Sequence, residues 1–439
     1  MASPTPGSGF ESLAARIRSK EAVVGVVGLG YVGLPLLVTV QNAGYATLGI
    51  DTDEQRIASL RAGRSYLVDV TDTEAGLLEP ARVSTDPRML RRADVLVICV
   101  PTPLRDQAPD LTYVRGAAEV IGKNLSPGKL VILESTTYPG TTEEELCPIL
   151  EKHSGLTVGI DLAVAYSPER VNPGQSDFGI EDIPKVVGGI TDTCRDLAAL
   201  FYQSFVQSVT VTSSPREAEM AKLIENTFRH VNIALVNELA MLAREMDVDI
   251  WEAIRAAASK PFGFMPFWPG PGVGGHCIPI DPSYLSWRAN QRLGYSNGFI
   301  EHANEVNRRM PAYVTGRIAE LMNRQGKALK GVRVLAIGAA YKPGVADMRE
   351  SPAVDVMKAL LAQGVELAYH DPLVEEVTIG DKRLRSVSLE EQEVGQHDCV
   401  VILTPHPDID WRRIAKASRL LFDTRGVTTG ITDSNVARL

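Results

Sequence analysis

The sequence is poor in features that would mark whole classes of protein. Its five cysteines, Cys99, Cys147, Cys194, Cys277 and Cys399, are odd in number, widely spaced and never form a C-x-x-C pair. Neither a disulfide framework nor a zinc site is indicated, so no metal is expected and a reducing cytoplasm fits best. No run of about 18 apolar residues exists to span a membrane. Met1 to Gly9 is rich in Ser, Pro and Gly without an apolar core, which reads as part of a disordered tail over residues 1–20 rather than as a signal peptide. An excess of basic charge is missing too: Lys plus Arg is 45 against 54 Asp plus Glu, a net charge of -9. That balance disfavours nucleic acid and anionic membranes as partners, and an anionic ligand would need a local cluster of cations.

What is present fits an enzyme of several domains. The 439 residues are 44% hydrophobic and 23% charged, with 37 glycines, and this length implies about two to four domains. Ala22 to Gly28 is a short β-branched run that leads into Gly28-Leu29-Gly30-Tyr31-Val32-Gly33 and a helical stretch through Ala43. Ala46 to Ile50 is a second predicted strand and ends on Asp51. The rhythm repeats at Asp94 to Val100, closed by Pro101-Thr102-Pro103, and at Leu130 to Leu133, closed by Glu134-Ser135-Thr136-Thr137. From about Ser213 to Arg309 the pattern turns helical, and at Gly331 strands and helices alternate again. The expected fold class is α/β, with two Rossmann-like doubly wound domains joined by a mostly helical central domain.

G-x-G-x-x-G alone is a weak signal, but here it follows a strand, opens a helix and precedes an acid at the end of the next strand. Gly28 permits the tight turn, Gly30 lets a pyrophosphate approach the helix N-terminus, and Gly33 lets helix and strand pack, while Asp51 can accept from both ribose hydroxyls. A carboxylate there repels a 2′-phosphate, which favours NAD over NADP. Tyr31 and Val32 lie within the same turn, and Arg56 either lies near the adenosine or is a solvated surface arginine.

Two further places carry candidate chemistry. After Pro215, Lys222, Asn226 and Arg229 fall within an arc of about 60° on a helix, forming one polar stripe among apolar residues. It is either the wet face of an amphipathic helix or a set of groups turned into a cleft, where Lys and Asn stabilise an oxyanion and Arg holds a phosphate. The loop Pro269-Gly270-Pro271-Gly272-Val273-Gly274-Gly275-His276-Cys277 brings a thiol onto backbone able to pass close to a ligand. Cys277 is either an inert buried thiol or a nucleophile. Asp281-Pro282 beyond it has the form of a helix cap, which is one full explanation of Asp281; nearness to Cys277 is the other.

In order along the chain, the glycine turn, Val100-Pro101-Thr102-Pro103, Glu134-Ser135-Thr136, Ser167-Pro168-Glu169-Arg170, the Lys222 and Asn226 helix, Gly274-Gly275-His276-Cys277, Lys342-Pro343 and Arg349-Glu350-Ser351-Pro352 resemble the nucleotide-sugar 6-dehydrogenases from about Val23 to Gly426. The resemblance implies a four-electron oxidation of a sugar C6 alcohol to the carboxylate, with two NAD used in succession and Cys277 as nucleophile through a thiohemiacetal and a thioester. It implies Lys222 and Asn226 at the oxyanion, with Asp281, Glu169 and Thr136 at the water. Glu169, Arg170, Val171, Lys222, Asn226, Arg229, Gly274, Lys342 and Arg425 match substrate positions, while Thr102, Thr136 and Arg349 match cofactor-side positions.

By the same resemblance residues 21–210 form the NAD-binding domain, 211–325 a central helical domain for dimerisation and the cysteine loop, and 326–439 the UDP-sugar domain. His276, Arg170 and the segment from Lys260 to Phe267 resemble the branch acting on UDP-N-acetylhexosamines, most closely on UDP-N-acetylglucosamine in surface-polysaccharide pathways. UDP-N-acetylmannosamine, UDP-N-acetylgalactosamine and UDP-glucose are the alternatives. Where several relatives reach an arginine across a homodimer to the substrate phosphate, this chain has Lys260 and Phe262. Outside the family, a two-electron 6-phosphogluconate-type dehydrogenase and an NAD-binding regulator remain readings of the same residues.

Overall fold

The computed structural model describes residues 8–67, 69–106, 108–171, 179–275 and 277–439. It divides into two compact units, Met1–Glu225 with Ser283–Leu293 and Asn226–Pro282 with Gly294–Leu439.

The first unit is built on an eight-stranded sheet whose spatial order is Val209–Val211, Lys185–Gly189, Leu162–Tyr166, Lys129–Leu133, Val95–Ile98, Val23–Val27, Ala46–Ile50 and Val83–Ser84. The central strands are continuous apolar runs because helices cover both faces of a parallel sheet; Val95–Ile98, Lys129–Leu133 and Leu162–Tyr166 are buried at every residue. Val27 pairs with both Ile50 and Ile98, so three strand ends lie level where the chain leaves through Gly28. Ligands of such sheets bind at this edge. One pairing runs the other way: Leu162–Tyr166 and Lys185–Gly189 are antiparallel, with Ala165 opposite Gly189 and Tyr166 opposite Gly188.

The stretch expected as a disordered tail needs correction. Ser8–Arg18 is a helix; Phe10, Leu13 and Ile17 are buried in the core of the first unit. The Ser/Pro/Gly-rich composition stops where an amphipathic repeat of period 3 to 4 begins, and burial of that stripe outweighs the entropy of ordering it. Lys20 fastens the end of this segment by donating to the Ala43 and Ser204 carbonyls, both at 2.9 Å. Residues 1–7 lie outside the described residues.

The second unit contains a five-stranded parallel sheet in the order Glu366–His370, Arg333–Ile337, Cys399–Ile402, Leu421–Asp423 and Val436–Arg438. Its start repeats that of the first. Gly338 ends the leading strand at φ +94° as Gly28 does at +91°. Asp51 Oδ2 accepts from Leu29 N at 2.8 Å, and Asp371 Oδ2 accepts from Ala339 N and Ala340 N at 2.8 and 3.0 Å. Asp371 is the more heavily bonded, taking Leu373 N and Val374 N on Oδ1 and His406 Nε2 at 3.1 Å. Burial works against its charge, but His406 and the backbone donors hold its carboxyl down at about 2.

Within the same unit, Asn237 on the long helix Pro215–Glu245 accepts from Gly270 N at 2.9 Å and donates to Asn307 at 3.0 Å. The cysteine loop thus starts from a fixed point.

If Ser8–Arg18 is docked as described, Ile17→Ala removes a fully buried side chain and lowers the unfolding free energy by about 2–5 kcal/mol in urea titrations. An unchanged midpoint would mean that this helix contributes nothing to the core.

Candidate active site

In the first unit the glycine turn is shaped by close approach. A Cβ on Gly28 would stand 2.7 Å from the Cys99 carbonyl oxygen, and one on Gly33 would stand 1.8 Å from the Gly28 oxygen. Gly30 faces open space instead, with nothing within 4 Å of such a carbon. Tyr31 is exposed and Val32 half-buried just before the helix Gly33–Asn42. Asp51 is bound on both oxygens, by Leu29 N and by Asp53 N at 2.9 Å, and Arg56 lies 3.3 Å away. Arg56 is also 5.7 Å from the centre of the Tyr66 ring, whose hydroxyl donates to the Leu29 carbonyl. Thr102 is buried and its carbonyl accepts from the Tyr284 hydroxyl; Thr136 is half-buried beyond the strand Lys129–Leu133.

Glu169 follows the strand Leu162–Tyr166. Its Oε1 accepts from Arg170 N at 2.7 Å and Val171 N at 2.6 Å, while Oε2 lies 3.2 Å from Lys185 Nζ. Burial would raise the Glu169 carboxyl, but Lys185, the Val171 N–H and Lys222 together hold it below the usual carboxylate range. Arg170 pairs with Glu225 at 2.6 Å and donates to the Pro184 carbonyl at 2.7 Å.

The helix Pro215–Glu245 reverses the ordinary amphipathic arrangement. Lys222 and Asn226 are buried, at 8% and 5% exposure, while the apolar Ile224, Phe228, Leu235 and Leu242 are exposed. The stripe is therefore not a wet face at Lys222 and Asn226, although Arg229 does face out. Among the described residues the Lys222 side chain has no ion-pair partner within bonding distance.

In the second unit, Asn226 Nδ2 donates to Asp281 Oδ2 at 2.5 Å. Asp281 is buried in the first turn of the helix Asp281–Leu293, and its N–H donates to the Cys277 carbonyl at 2.8 Å. Cys277 is exposed, whereas Cys99, Cys147, Cys194 and Cys399 are buried. Burial pushes the Cys99 and Cys147 thiols up, and that of Cys399 to about 12.

The loop before Cys277 is locked against the C-terminal part of this unit. A Cβ on Gly274 would stand 2.6 Å from the Glu350 carbonyl oxygen, one on Gly275 would stand 2.7 Å from the Tyr341 ring, and Gly275 N donates to the Arg349 carbonyl at 3.1 Å. Glu350 itself sits at φ +50°, a strained conformation for a residue with a side chain. Lys342 is half-buried with Nζ 5.5 Å from the Tyr341 ring centre, and Arg349 pairs with Asp347. The Arg425 guanidinium lies against Gly270, and burial lowers its pKa. Lys260 is exposed, 4.6 Å from the ring centre of Phe262. His276 and residues 172–174 lie outside the described residues.

Three family models cover most of the chain: the NAD binding domain of the UDP-glucose/GDP-mannose dehydrogenase family over residues 22–206, its central domain over 216–309 and its UDP binding domain over 335–430. The chain belongs to the UDP-glucose/GDP-mannose dehydrogenase family. It is an NAD-dependent nucleotide-sugar dehydrogenase. Among its relatives in this family, a UDP-N-acetyl-D-glucosamine 6-dehydrogenase of Pseudomonas aeruginosa is 37% identical over 92% of this chain and 97% of its own. An NDP-N-acetyl-D-galactosaminuronic acid dehydrogenase of Ralstonia solanacearum is 34% identical, over 92% and 96%. A solved UDP-D-ManNAc dehydrogenase from Pyrococcus horikoshii superposes with a TM-score of 0.83 at 35% identity, over 92% of this chain and 95% of that one.

The residues present fit the family's cofactor. Space is open at Gly30 where a pyrophosphate would pass, no side chain fits at Gly28 or Gly33, and a carboxylate stands at the end of the second strand. Sequence reasoning missed Lys185, Tyr66 and Asn237. A charged residue opening the apolar run Val186-Val187-Gly188-Gly189 was the available sign for Lys185.

Brief treatment of the native protein with iodoacetamide is expected to give one adduct, on Cys277, with the other four thiols reacting only after denaturation; mass spectrometry of tryptic peptides reads this directly. Equal labelling at Cys99 or Cys399 would contradict their burial.

Proposed function

We propose that this dehydrogenase oxidises the C6 alcohol of a UDP-N-acetylhexosamine, UDP-N-acetyl-D-glucosamine first among them, to the uronic acid through covalent attachment to Cys277. The observation that carries the reading is the single exposed thiol on a loop followed at once by the Asn226–Asp281 pair. Likeness to the Pseudomonas aeruginosa enzyme supports the sugar.

When bound, NAD supplies the hydride acceptor for each of the two oxidations. Lys222, as the neutral amine, takes the proton of the C6 hydroxyl in the first and so becomes the ammonium. Cys277 Sγ then adds to the aldehyde carbon, and the oxyanion so formed is stabilised by the Lys222 ammonium and the Asn226 amide. Loss of a second hydride leaves a thioester. A water placed by Asp281, Glu169 and Thr136 gives a proton to one of the two carboxylates as it adds to the carbonyl and expels the Cys277 thiolate, and the acid so formed leaves as the carboxylate, its second proton passing to solvent. Arg170, Val171, Arg229, Lys260, Gly274, Lys342 and Arg425 hold the UDP-sugar. Gly28, Gly30, Tyr31, Val32, Gly33, Asp51, Arg56, Thr102, Thr136 and Arg349 hold the cofactor. Residues 21–210, 211–325 and 326–439 divide the work as cofactor domain, central domain and nucleotide-sugar domain.

Incubation with NAD and a panel of UDP-N-acetylglucosamine, UDP-N-acetylmannosamine, UDP-N-acetylgalactosamine and UDP-glucose is expected to give about two NADH per sugar, fastest with the first, and none above background in Cys277→Ser. One NADH per sugar with full activity in Cys277→Ser would favour the two-electron reading, and binding without turnover the regulator. A roughly ten-fold preference for another sugar reassigns the substrate.

The partner in assembly is a second copy of the chain. Ile224, Phe228, Leu235, Leu239 and Leu242 repeat at helical spacing on the exposed side of Pro215–Glu245, an apolar stripe that pairing would remove from water. Light scattering after size exclusion is expected to show a dimer or higher oligomer that dissociates in Leu235→Glu/Leu242→Glu; a wild-type monomer would refute it. The cytoplasm suits a working thiolate, and no helix among the described residues is long and apolar enough to cross a membrane.

A further inference from the structure

Lys185 is a buried cation with no part in the chemistry above. It opens the strand Lys185–Gly189, and only 3% of its side chain is exposed. Its ammonium has three acceptors: Glu134 Oε1 at 2.8 Å, Glu169 Oε2 at 3.2 Å and the Pro168 carbonyl at 3.5 Å. Glu134 in turn accepts from the Tyr202 hydroxyl at 2.5 Å on Oε1, and Cys99 Sγ lies 3.9 Å from its Oε2. Cys99 is the residue whose carbonyl excludes a side chain at Gly28. A continuous line of buried polar contacts therefore runs from the cofactor turn to Glu169.

The direction of one strand explains how a lysine comes to stand there. In an all-parallel sheet the first residue of a strand lies at the edge opposite the strands' carboxyl ends. Lys185–Gly189 runs antiparallel to Leu162–Tyr166, and the register that sets Tyr166 opposite Gly188, continued along both chains, sets Glu169 opposite Lys185. The one reversal in the sheet thus delivers the start of a strand to the ligand-binding edge.

We infer that Lys185 is a positioning residue for Glu169, holding its carboxylate ionised and aimed so that a free lone pair remains for the attacking water. Glu169 has two backbone N–H groups on Oε1 and the ammonium on Oε2. A carboxylate offers about four acceptor sites, so one is left on Oε2. The charged and titratable groups facing it are Lys185, Lys222, Glu134 and Cys99, with the Arg170 guanidinium turned away to Glu225. Burial and the neighbouring Glu169 charge push Glu134 up, whereas Lys185, the Val171 N–H and Lys222 hold Glu169 low against its burial, so of the two carboxyls Glu169 is the one that keeps its charge. Burying three ionisable groups together adds little net stability, which is the reason to look for a role in placement.

This inference rests on the reading that Glu169 serves the water step, and the test separates the two. Lys185→Met/Glu134→Gln removes one positive and one negative charge, leaving the net charge of the trio unchanged. At saturating NAD and UDP-sugar the acid limb of its kcat profile is expected to move up by about one unit, so that kcat falls roughly ten-fold well below the limb and recovers above it, as an unpaired buried carboxyl demands. KM for both substrates should stay within about three-fold. Lys185→Arg should keep the limb of the natural protein. In a Glu169→Gln background the double change should cost nothing further. An unmoved limb in a protein folded by circular dichroism, or a full additional loss in the Glu169→Gln background, would overturn the role of Lys185. Normal turnover by Glu169→Gln alone would overturn the reading of Glu169, and this inference with it. Should the double variant not fold, a limb displaced in Lys185→Arg, where the charge persists, decides against the proposal, and an undisplaced one with kcat within about three-fold supports it.

Discussion

Close approach of bare backbone is the constraint on which both units are built. At Gly28 and again at Gly338 the chain turns at positive φ, and a side chain at either would collide with the segment following a neighbouring strand, Cys99 in one case and Thr404 in the other. The turns allow strands to end level and loops to leave over the same edge of the sheet. Thr102, Thr136 and Glu169 in the first unit lie on loops that depart from that edge. In both units the acid at the end of the second strand bonds back to the turn, so each turn is closed by its own carboxylate.

The second unit extends the same economy of space to its cysteine loop. Gly274 and Gly275 are pinned between Tyr341 and the carbonyls of Arg349 and Glu350, and Gly270 is tied to Asn237. Cys277 is therefore presented by a loop held at both ends: at one by an asparagine of the long helix, and at the other by the turn into Asp281–Leu293, where Asn226 meets Asp281. The nucleophile proposed here needs exposure together with a fixed position, and the fixing is done by backbone packing rather than by enclosing the thiol.

Much of this was legible in the sequence because it is local. The glycine turn, Asp51 after Ala46–Ile50, and a solitary cysteine among glycines are patterns within about 20 residues, each readable from residue type and spacing. Lys222 and Asn226 could be placed on one stripe, but whether that stripe was wet depended on what packs around the helix. Lys185 and Glu134 were opaque for a stronger reason: their meeting with Glu169 is a consequence of strand direction and register, which no single segment encodes. The segment after Gly9 was misread because a Ser/Pro/Gly-rich start masked the amphipathic repeat that follows it.

The latch formed by Asp51 has a consequence for redesign of coenzyme preference. Exchanging that acid for a neutral or basic residue is the obvious route toward a phosphorylated ribose, yet Asp51 also satisfies the N–H groups of Leu29 and Asp53. The Leu29 N–H is buried, and leaving it unmet costs about 1–3 kcal/mol. With the coenzyme role proposed for Asp51, selectivity and foldability meet in one carboxylate, and a variant that changes the first without the second must bring a new acceptor for the turn.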